Sequence, residues 1–592
     1  MCGIIGYIGK DKCIPKIISG LESLEYRGYD SSGISYILNG KIKIEKEVGK
    51  IENLKKIIDM DLESYIGIGH TRWATHGKPC KENSHPHQSG KITLVHNGII
   101  ENYEELKNNL KDYHYVSETD SEVVASLIDS LYKKDNEMVK VLNSLKDYLI
   151  GSYALGILVE NSDKLYAIRK NSPLIIGVSE NGNFIASDVP AILRYTNKYY
   201  LLDNDEYAIL EKDKVTIYNN GKVVEKELLT FEGSVDSAMK NGYDHFMLKE
   251  IYEQKDVVLK TIKKYLDINN LKELLTGLEN YTGIDIIGCG SSYHVGLAGK
   301  SLITKYGKIP VNVEIASEYR YQEHFYTDKH LIILISQSGE TADSLAVLRQ
   351  VKEKNIDTLA IVNVIGSSIA READKVIYTK AGPEISVATT KAYSCQFIIL
   401  SLIAFYLGLK NNLVKEEDIK IYHDLEKEIA DILEDTTDTK EVANMIHDRK
   451  DIFYLGRKID YSLCMEASLK LKEISYLHSE AYAAGELKHG TISLIDDSTP
   501  VISIITDDSI ALKTLSNVKE VCARGAISII ISNKEIEDKN VYQKLILVPK
   551  VSEFIEPILV MIKCQLIAYY VAKVNGCDID KPRNLAKSVT VE

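Results

Sequence analysis

The sequence predicts an α/β multidomain chain in which a strand-rich first domain precedes two parallel-sheet domains in tandem. Three observations predict it. Up to about residue 225, apolar segments such as Gly151 to Val159 and Lys164 to Ile168 are broken by turn residues, Asn181-Gly182 and Asn219-Asn220-Gly221 among them. Beyond residue 242, short apolar strands alternate with longer amphipathic helical segments, as parallel βαβ units do. That second part also repeats: Ile284 to Gly288 matches Asp451 to Gly456, His330 to Ile335 matches Thr499 to Ile504, and Leu359 to Asn363 matches Ile529 to Asn533. The three pairs are collinear at one offset of about 170 residues, the mark of a duplicated unit.

Taken in chain order, residues 1–225 form the first domain, with helices near 15–25 and 120–134. Residues 226–242 read as a linker, because Glu232 to Asn241 has Gly, Ser and Asp but no apolar period. The first repeat is 243–425, the second 426–582, and 583–592 is a C-terminal tail. Within the first repeat, Ala392 to Leu409 carries no charge; with Ser394, Gln396 and Ser401 inside it, it reads as a buried helix and not a membrane span.

With 85 acidic against 72 basic residues the formal charge is -13, so no basic field exists to concentrate a nucleic acid. The opening MCGIIGYIGK has no basic residue ahead of its apolar run, which argues against a secretory leader. Nine cysteines without a CxxC pair form neither a disulfide framework nor a zinc site. The expectation is a cytoplasmic protein with reduced thiols and no membrane partner.

Cys2 directly follows Met1. Trimming of the Met would leave a cysteine whose own α-amino group, partly neutral at physiological pH, serves as base for the thiol. Position alone is equally compatible with the first residue of a buried strand. Gly69 to Gly77 and Val95 to Gly98 end apolar strands with polar or cationic side chains. Arg72 suits a bidentate grip on a carboxylate, Asn97 and the Gly98 N–H suit a developing oxyanion, and Asp120 suits an ammonium. Those are the parts needed to hydrolyse the side-chain amide of a free amino acid. Five histidines between residues 70 and 96, His85-Pro86-His87 included, lack a recurring ligand spacing, so no metal and no other cofactor is expected.

These segments, with Tyr26-Arg27-Gly28-Tyr29-Asp30-Ser31, His96 to Asn102 and Glu118 to Glu122, resemble the N-terminal-nucleophile glutamine amidotransferases. The resemblance implies a four-layer αββα glutaminase fold in which Cys2 attacks L-glutamine and releases ammonia. Arg72 and Asp120 would then hold the glutamine's α-carboxylate and α-amine, and Trp73 and His76 would belong to a loop closing over it.

In the second part, Gly288 to Tyr293 is half a dinucleotide fingerprint, which fails because Tyr293 stands at the third Gly. Hydroxyls fill the loop instead. Ser291 and Ser292, with Ser336, Gln337, Ser338 and Thr341, would surround a phosphomonoester at the carboxyl ends of two strands, where backbone N–H groups and helix starts meet an anion. The second repeat has Thr506-Asp507-Asp508-Ser509 at the matching place, which would repel one. These loops resemble the sugar isomerase domain family, and Ala388 to Ala392, Glu466 to Tyr476, Glu480 to Gly490 and Pro582 to Glu592 extend the match to the C-terminus.

The resemblance implies two αβα sandwiches and adds Val387, Thr389 and Lys470 to the sugar-phosphate site. Moving a carbonyl between neighbouring carbons needs a base, and Glu473, three residues after Lys470 on one helical face, suits it. His489 suits ring opening, and Lys587 suits a Schiff base with the open ketose. Residue type alone favours a solvated face for Glu473 and Lys470 and a mobile tail for Lys587 over catalysis. Thr389 stands where Ser is common in the family, Ser291 where Thr is common and Thr491 where Pro is usual, which touches only fine substrate positioning.

Both halves together resemble the isomerising amidotransferases that aminate D-fructose 6-phosphate with L-glutamine, and the pairing of sugar isomerase domains implies a homodimer. A phosphoribosyl transferase would share only the first half and needs an acidic diphosphate-magnesium loop. A sugar-phosphate-sensing protein would leave the thiol and the Glu, His and Lys set without purpose.

Overall fold

The structure, a computed structural model, describes residues 2–73, 77–231 and 240–589. Two compact units emerge: Met1–Met239 with Ala586–Glu592, and Lys240–Leu585.

The first unit is built on two antiparallel sheets, one of eight strands and one of seven. The strand Gly3–Gly9 shows how period-2 alternation assigns its faces. Ile4 and Ile8 join Ile68, Val95, Ala154, Leu158 and Ala208 in the apolar layer between the sheets, while Ile5 and Tyr7 point the other way and pack on the helix Cys13–Leu24. On the outer face of the second sheet, Leu94, Leu155 and Ile157 pack on the helices Asp120–Asp135 and Met138–Ser144. The order is helix, sheet, sheet, helix, the four-layer arrangement expected. One difference from the sequence reading concerns 226–242: Leu229–Thr230 pairs with Lys198–Leu201 at the edge of the larger sheet, so the start of the expected linker belongs to the first unit. Alternation over two residues is too short to register as a strand in the sequence.

The second unit holds two five-stranded parallel sheets. Strands Val311–Ile315, Gly283–Gly288, His330–Ser336, Asp357–Val362 and Lys375–Tyr378 lie side by side in that order. Strands His478–Ala483, Asp451–Gly456, Pro500–Ile505, Ile527–Ser532 and Lys544–Leu547 repeat it. All three repeated segments are equivalent strands, as the offset predicts. The helices Lys391–Lys410 and Glu556–Val574 are apolar on every face because one shared core surrounds them. They are long enough to cross a membrane, but 94% and 83% of their apolar windows are buried inside the protein, so they are core helices.

The duplication reaches the backbone. Gly290, before the helix Ser291–Gly307, has φ 54° and ψ -126°, and Lys458, before Ile459–Ser475, has φ 52° and ψ -125°. A side chain in that region costs on the order of 1–3 kcal/mol, so the second copy keeps the turn of the first although its glycine is gone.

Candidate active site

In the first unit the nucleophile candidate sits where two strand ends meet. The Cys2 Sγ accepts the Trp73 backbone N–H at 3.3 Å and faces the Trp73 carbonyl at 3.6 Å. The Asn97 Nδ2 donates to the Cys2 carbonyl at 2.9 Å, which brings the expected amide donor to the cysteine. The orientation of that amide is fixed by His70, whose Nε2 lies 3.0 Å from both the His96 carbonyl and the Asn97 Oδ1. Both partners accept, so Nε2 carries the proton. Burial holds His70 at a pKa of about 3 and pushes the stacked His85 and the neighbouring His87 well below the ordinary histidine value. The histidines are therefore neutral packing and orienting groups at neutral pH.

Gly98 follows with φ 134°, and a Cβ there would lie 2.0 Å from the Ser152 carbonyl, so the position admits only glycine. Arg72 ends the strand Ile66–Arg72, is 4% exposed, and donates to the Gly77 carbonyl at 3.1 Å. Asp120 opens the helix Asp120–Asp135 and accepts the Ile100 N–H at 2.8 Å and the Ser121 hydroxyl at 3.1 Å, which aims its carboxylate. Trp73 meets Cys2 through its backbone, while its side chain stays half-buried. His76 lies outside the described residues.

In the second unit the strand His330–Ser336 delivers the hydroxyl cradle. Ser336 Oγ and Thr341 Oγ1 lie 3.0 Å apart, the Gly339 N–H donates to Ser336 Oγ at 3.0 Å, and the Glu340 N–H donates to Ser338 Oγ at 3.2 Å. The loop turns at Gly339, φ 66°, where a Cβ would meet the Ser367 hydroxyl at 2.0 Å. Gln337 and Ser338 are half-buried between these anchors, and Thr341 precedes the helix Ala342–Glu353. Ser291 and Ser292 open the helix Ser291–Gly307. If the cradle holds a phosphate, Ser336→Ala and Ser338→Ala are each expected to raise the KM for a sugar phosphate about tenfold, the worth of one charge-assisted hydrogen bond, with little change in kcat. Initial rates across substrate concentration measure it.

The second copy fills its own cradle. Lys458 Nζ donates to Asp507 at 3.0 Å and to Ser509 at 2.9 Å, and Lys534 and Lys550 reach Asp508 at 2.6 and 2.5 Å. The hydrogen bonds from Lys534 and Lys550 hold the Asp508 pKa at about 2. Carboxylates paired to lysines stand where the first copy keeps hydroxyls.

Lys470, 1% exposed, donates to Glu473 Oε2 at 2.5 Å and lies 3.5 Å from Glu466 Oε1. Burial would lower its pKa, but Glu473 and Glu466 outweigh burial and hold it above the ordinary lysine value. Glu473 is half-buried, with one edge open. Val387 and Thr389 sit on a loop held by two buried carboxylates: Glu250 Oε1 accepts the N–H groups of Ile385 and Ser386 at 2.5 and 3.2 Å, and Glu384 Oε1 accepts those of Thr390 and Ala392, each at 3.0 Å. Val387 N–H also donates to the Asp580 carbonyl at 3.0 Å.

His489, on the turn Leu487–His489, is exposed and makes no hydrogen bond to Lys470 or Glu473. Lys587 groups with the first unit through Ala586–Glu592, whereas Glu473 belongs to the second. The segment just before it is tied into the second unit, where the Arg583 N–H donates to the Tyr476 hydroxyl at 2.8 Å. The boundary thus falls inside the tail expected at 583–592.

Sequence reasoning missed Glu466, His294, Glu250 and Glu384. Only Glu466 left a usable signal, since it precedes Lys470 by one turn and shares its helical face.

The SIS domain family matches residues 278–406 and 445–572, and the glutamine amidotransferase domain family matches residues 70–194. The glutamine–fructose-6-phosphate aminotransferase (isomerizing) of Caldanaerobacter subterraneus subsp. tengcongensis is 47% identical and that of Clostridium tetani 46%, each aligned over 100% of both chains. Among solved structures, the C-terminal domain of glucosamine-fructose-6-phosphate aminotransferase from Francisella tularensis is 37% identical with a TM-score of 0.54, covering 58% of this chain and 99% of that one. The chain belongs to the glutamine–fructose-6-phosphate aminotransferase (isomerizing) family, an amidotransferase domain followed by two SIS domains.

Proposed function

We propose that the protein converts D-fructose 6-phosphate and L-glutamine to D-glucosamine 6-phosphate and L-glutamate. One observation carries the reading: a single chain holds a cysteine with an aimed amide donor at its backbone and, separately, a hydroxyl cradle with a buried Lys–Glu pair. Once Met1 is removed, the free amine of Cys2 takes the thiol proton, and the sulfur attacks the glutamine side-chain carbonyl. Asn97 Nδ2 and Gly98 N–H stabilise the oxyanion, while Arg72 and Asp120 hold the ends of the amino acid. Breaking the C–N bond releases ammonia, and water then cleaves the thioester to give glutamate.

The second unit holds the phosphate on Ser291, Ser292, Ser336, Ser338 and Thr341, with Gln337, Val387 and Thr389 lining the sugar. His489 opens the ring and Lys587 activates the carbonyl as a Schiff base, which ammonia displaces. Glu473 then carries a proton from carbon 1 to carbon 2, leaving an aldehyde at the first and an amine at the second. Lys470, hydrogen-bonded to Glu473, orients the carboxylate for that task. A homodimer in the cytoplasm completes the proposal.

Mixing the purified chain with glutamine and a panel of sugar phosphates, then identifying the aminated product, tests the reading; amination of another sugar, or none, overturns it. Trp73 is the sole tryptophan, so its emission is expected to change when a glutamine analogue occupies the first site. A titration that leaves the spectrum unchanged would remove Trp73 from the closing loop.

A further inference from the structure

Glu466 is 0% exposed, yet it joins three charged or polar groups from two helices. Its Oε1 accepts the Ser291 hydroxyl at 2.8 Å, and its Oε2 lies 2.8 Å from His294 Nδ1. Both partners come from the helix Ser291–Gly307, whose first turn carries Ser291 and Ser292, assigned above to phosphate binding. From its own helix, Ile459–Ser475, Lys470 approaches the same carboxylate at 3.5 Å while gripping Glu473 at 2.5 Å. Glu466, Lys470 and Glu473 are spaced one helical turn apart, so the row His294, Glu466, Lys470, Glu473 is a continuous chain of contacts from the cradle to the carboxylate assigned to proton transfer.

The charges in the row are settled by its surroundings. Burial would raise the Glu466 pKa, but Lys470, His294 and Ser291 together hold it below the ordinary glutamate value. An ionised carboxylate only accepts, so His294 Nδ1 and Ser291 Oγ are both donors. Lys470 thereby sits between two carboxylates that compete for one ammonium, close to Glu473 and farther from Glu466.

We propose that Glu466 is a positioning residue that couples the serine cradle to Glu473 through Lys470, so that phosphate binding is felt at the proton-transferring carboxylate. A hydroxyl has a single proton. When Ser291 donates it to a phosphate oxygen, Glu466 loses one of its hydrogen bonds and draws more strongly on Lys470. The ammonium then loosens its grip on Glu473, which is freed to meet the substrate proton. The ligand that drives this is the dianion of a phosphomonoester, whose oxygens compete with a carboxylate for a hydroxyl proton. The inference rests on the proposed role of Glu473.

A double-mutant cycle tests it in the full-length protein, with glucose 6-phosphate formed from fructose 6-phosphate in the absence of glutamine as the readout. Glu466→Gln is expected to lower kcat about tenfold or more while KM moves by less than about threefold, because the introduced amide retains the shape but not the charge that competes for Lys470. Ser291→Ala is expected to raise KM while kcat stays within about twofold of the parent, because Glu466 then lacks the serine bond just as it does once phosphate has bound, and the kcat loss of Glu466→Gln should be the same with or without Ser291→Ala. A Ser291→Ala protein whose kcat falls as far as that of Glu466→Gln, or a Glu466→Gln enzyme with the parental kcat, overturns the coupling. A thermal melt of the full-length protein reports that each variant is folded; should Glu466→Gln fail that control, Glu466→Asp, which keeps the charge, is expected to retain most of the parental kcat, and a loss of about tenfold there also overturns the coupling. A Glu473→Gln protein that isomerises normally would instead overturn the role of Glu473, which separates the two failures.

Discussion

A chain extended by even one residue ahead of Cys2 is expected to lose glutamine hydrolysis by about 10³-fold or more, the scale on which removing the base of an activated nucleophile acts. The extension turns the basic amine into an amide, which cannot take the thiol proton. Cys2→Ala should lose at least as much by removing the sulfur. In both proteins the interconversion of fructose and glucose 6-phosphates is expected to persist, because the residues assigned to it, from Ser291 to Lys587, are untouched. Glutamate release and sugar isomerisation measured on the same sample give the comparison. An extended protein that hydrolyses glutamine at the parental rate ends the terminal-amine mechanism, and a Cys2→Ala protein without isomerisation ends the separation of the two chemistries.

Glu473→Gln is the reciprocal experiment. A positioned acid or base contributes typically about 10²–10⁴-fold, so isomerisation should fall by that factor while glutamine hydrolysis continues. The substituted amide still reaches Lys470, whose bond to Glu473 is 2.5 Å, so packing changes little and the loss reports on proton transfer. Substituting Lys470 instead would carry a heavier structural loss, since it leaves the buried Glu466 carboxylate without its ammonium, which costs several kcal/mol. That makes the glutamine substitution the cleaner probe. Retention of more than about a third of the isomerisation rate would remove Glu473 from the reaction.

Much of the architecture was legible because it follows from periodicity. The strand Gly151–Val159 is an apolar run bounded by turns, the buried helix at Lys391–Lys410 has no polar face, and the duplicated strands fall at one offset. Those features depend on which residues are apolar, and the chain states that directly. The edge strand Leu229–Thr230 escaped because two residues carry no period. Of the candidate site, the residues beside strand ends were legible for the same reason: Arg72, Asn97 and Ser336 terminate apolar runs and meet their partners within the same unit.

Other relations were not. The sequence placed two carboxylates in the second copy's loop and predicted repulsion, but only the fold showed Lys458 bent over Asp507, on a backbone turn inherited from Gly290. It named Lys470 and Glu473 and passed over Glu466, whose meaning arises from Ser291 and His294 on a different helix. It assigned ring opening to His489 and a Schiff base to Lys587 by resemblance, and the fold adds that His489 is exposed.

The chain by itself therefore determined the order of domains, the strands and helices within them, and the residue types that carry the chemistry. Side-chain periodicity fixes which face a residue occupies and nothing about what stands opposite. Which carboxylate meets which hydroxyl, and which ammonium two acids share, depends on heavy atoms brought within about 3 Å at the right angle by elements far apart in sequence. Only the packing of the helices Ser291–Gly307 and Ile459–Ser475 decided that.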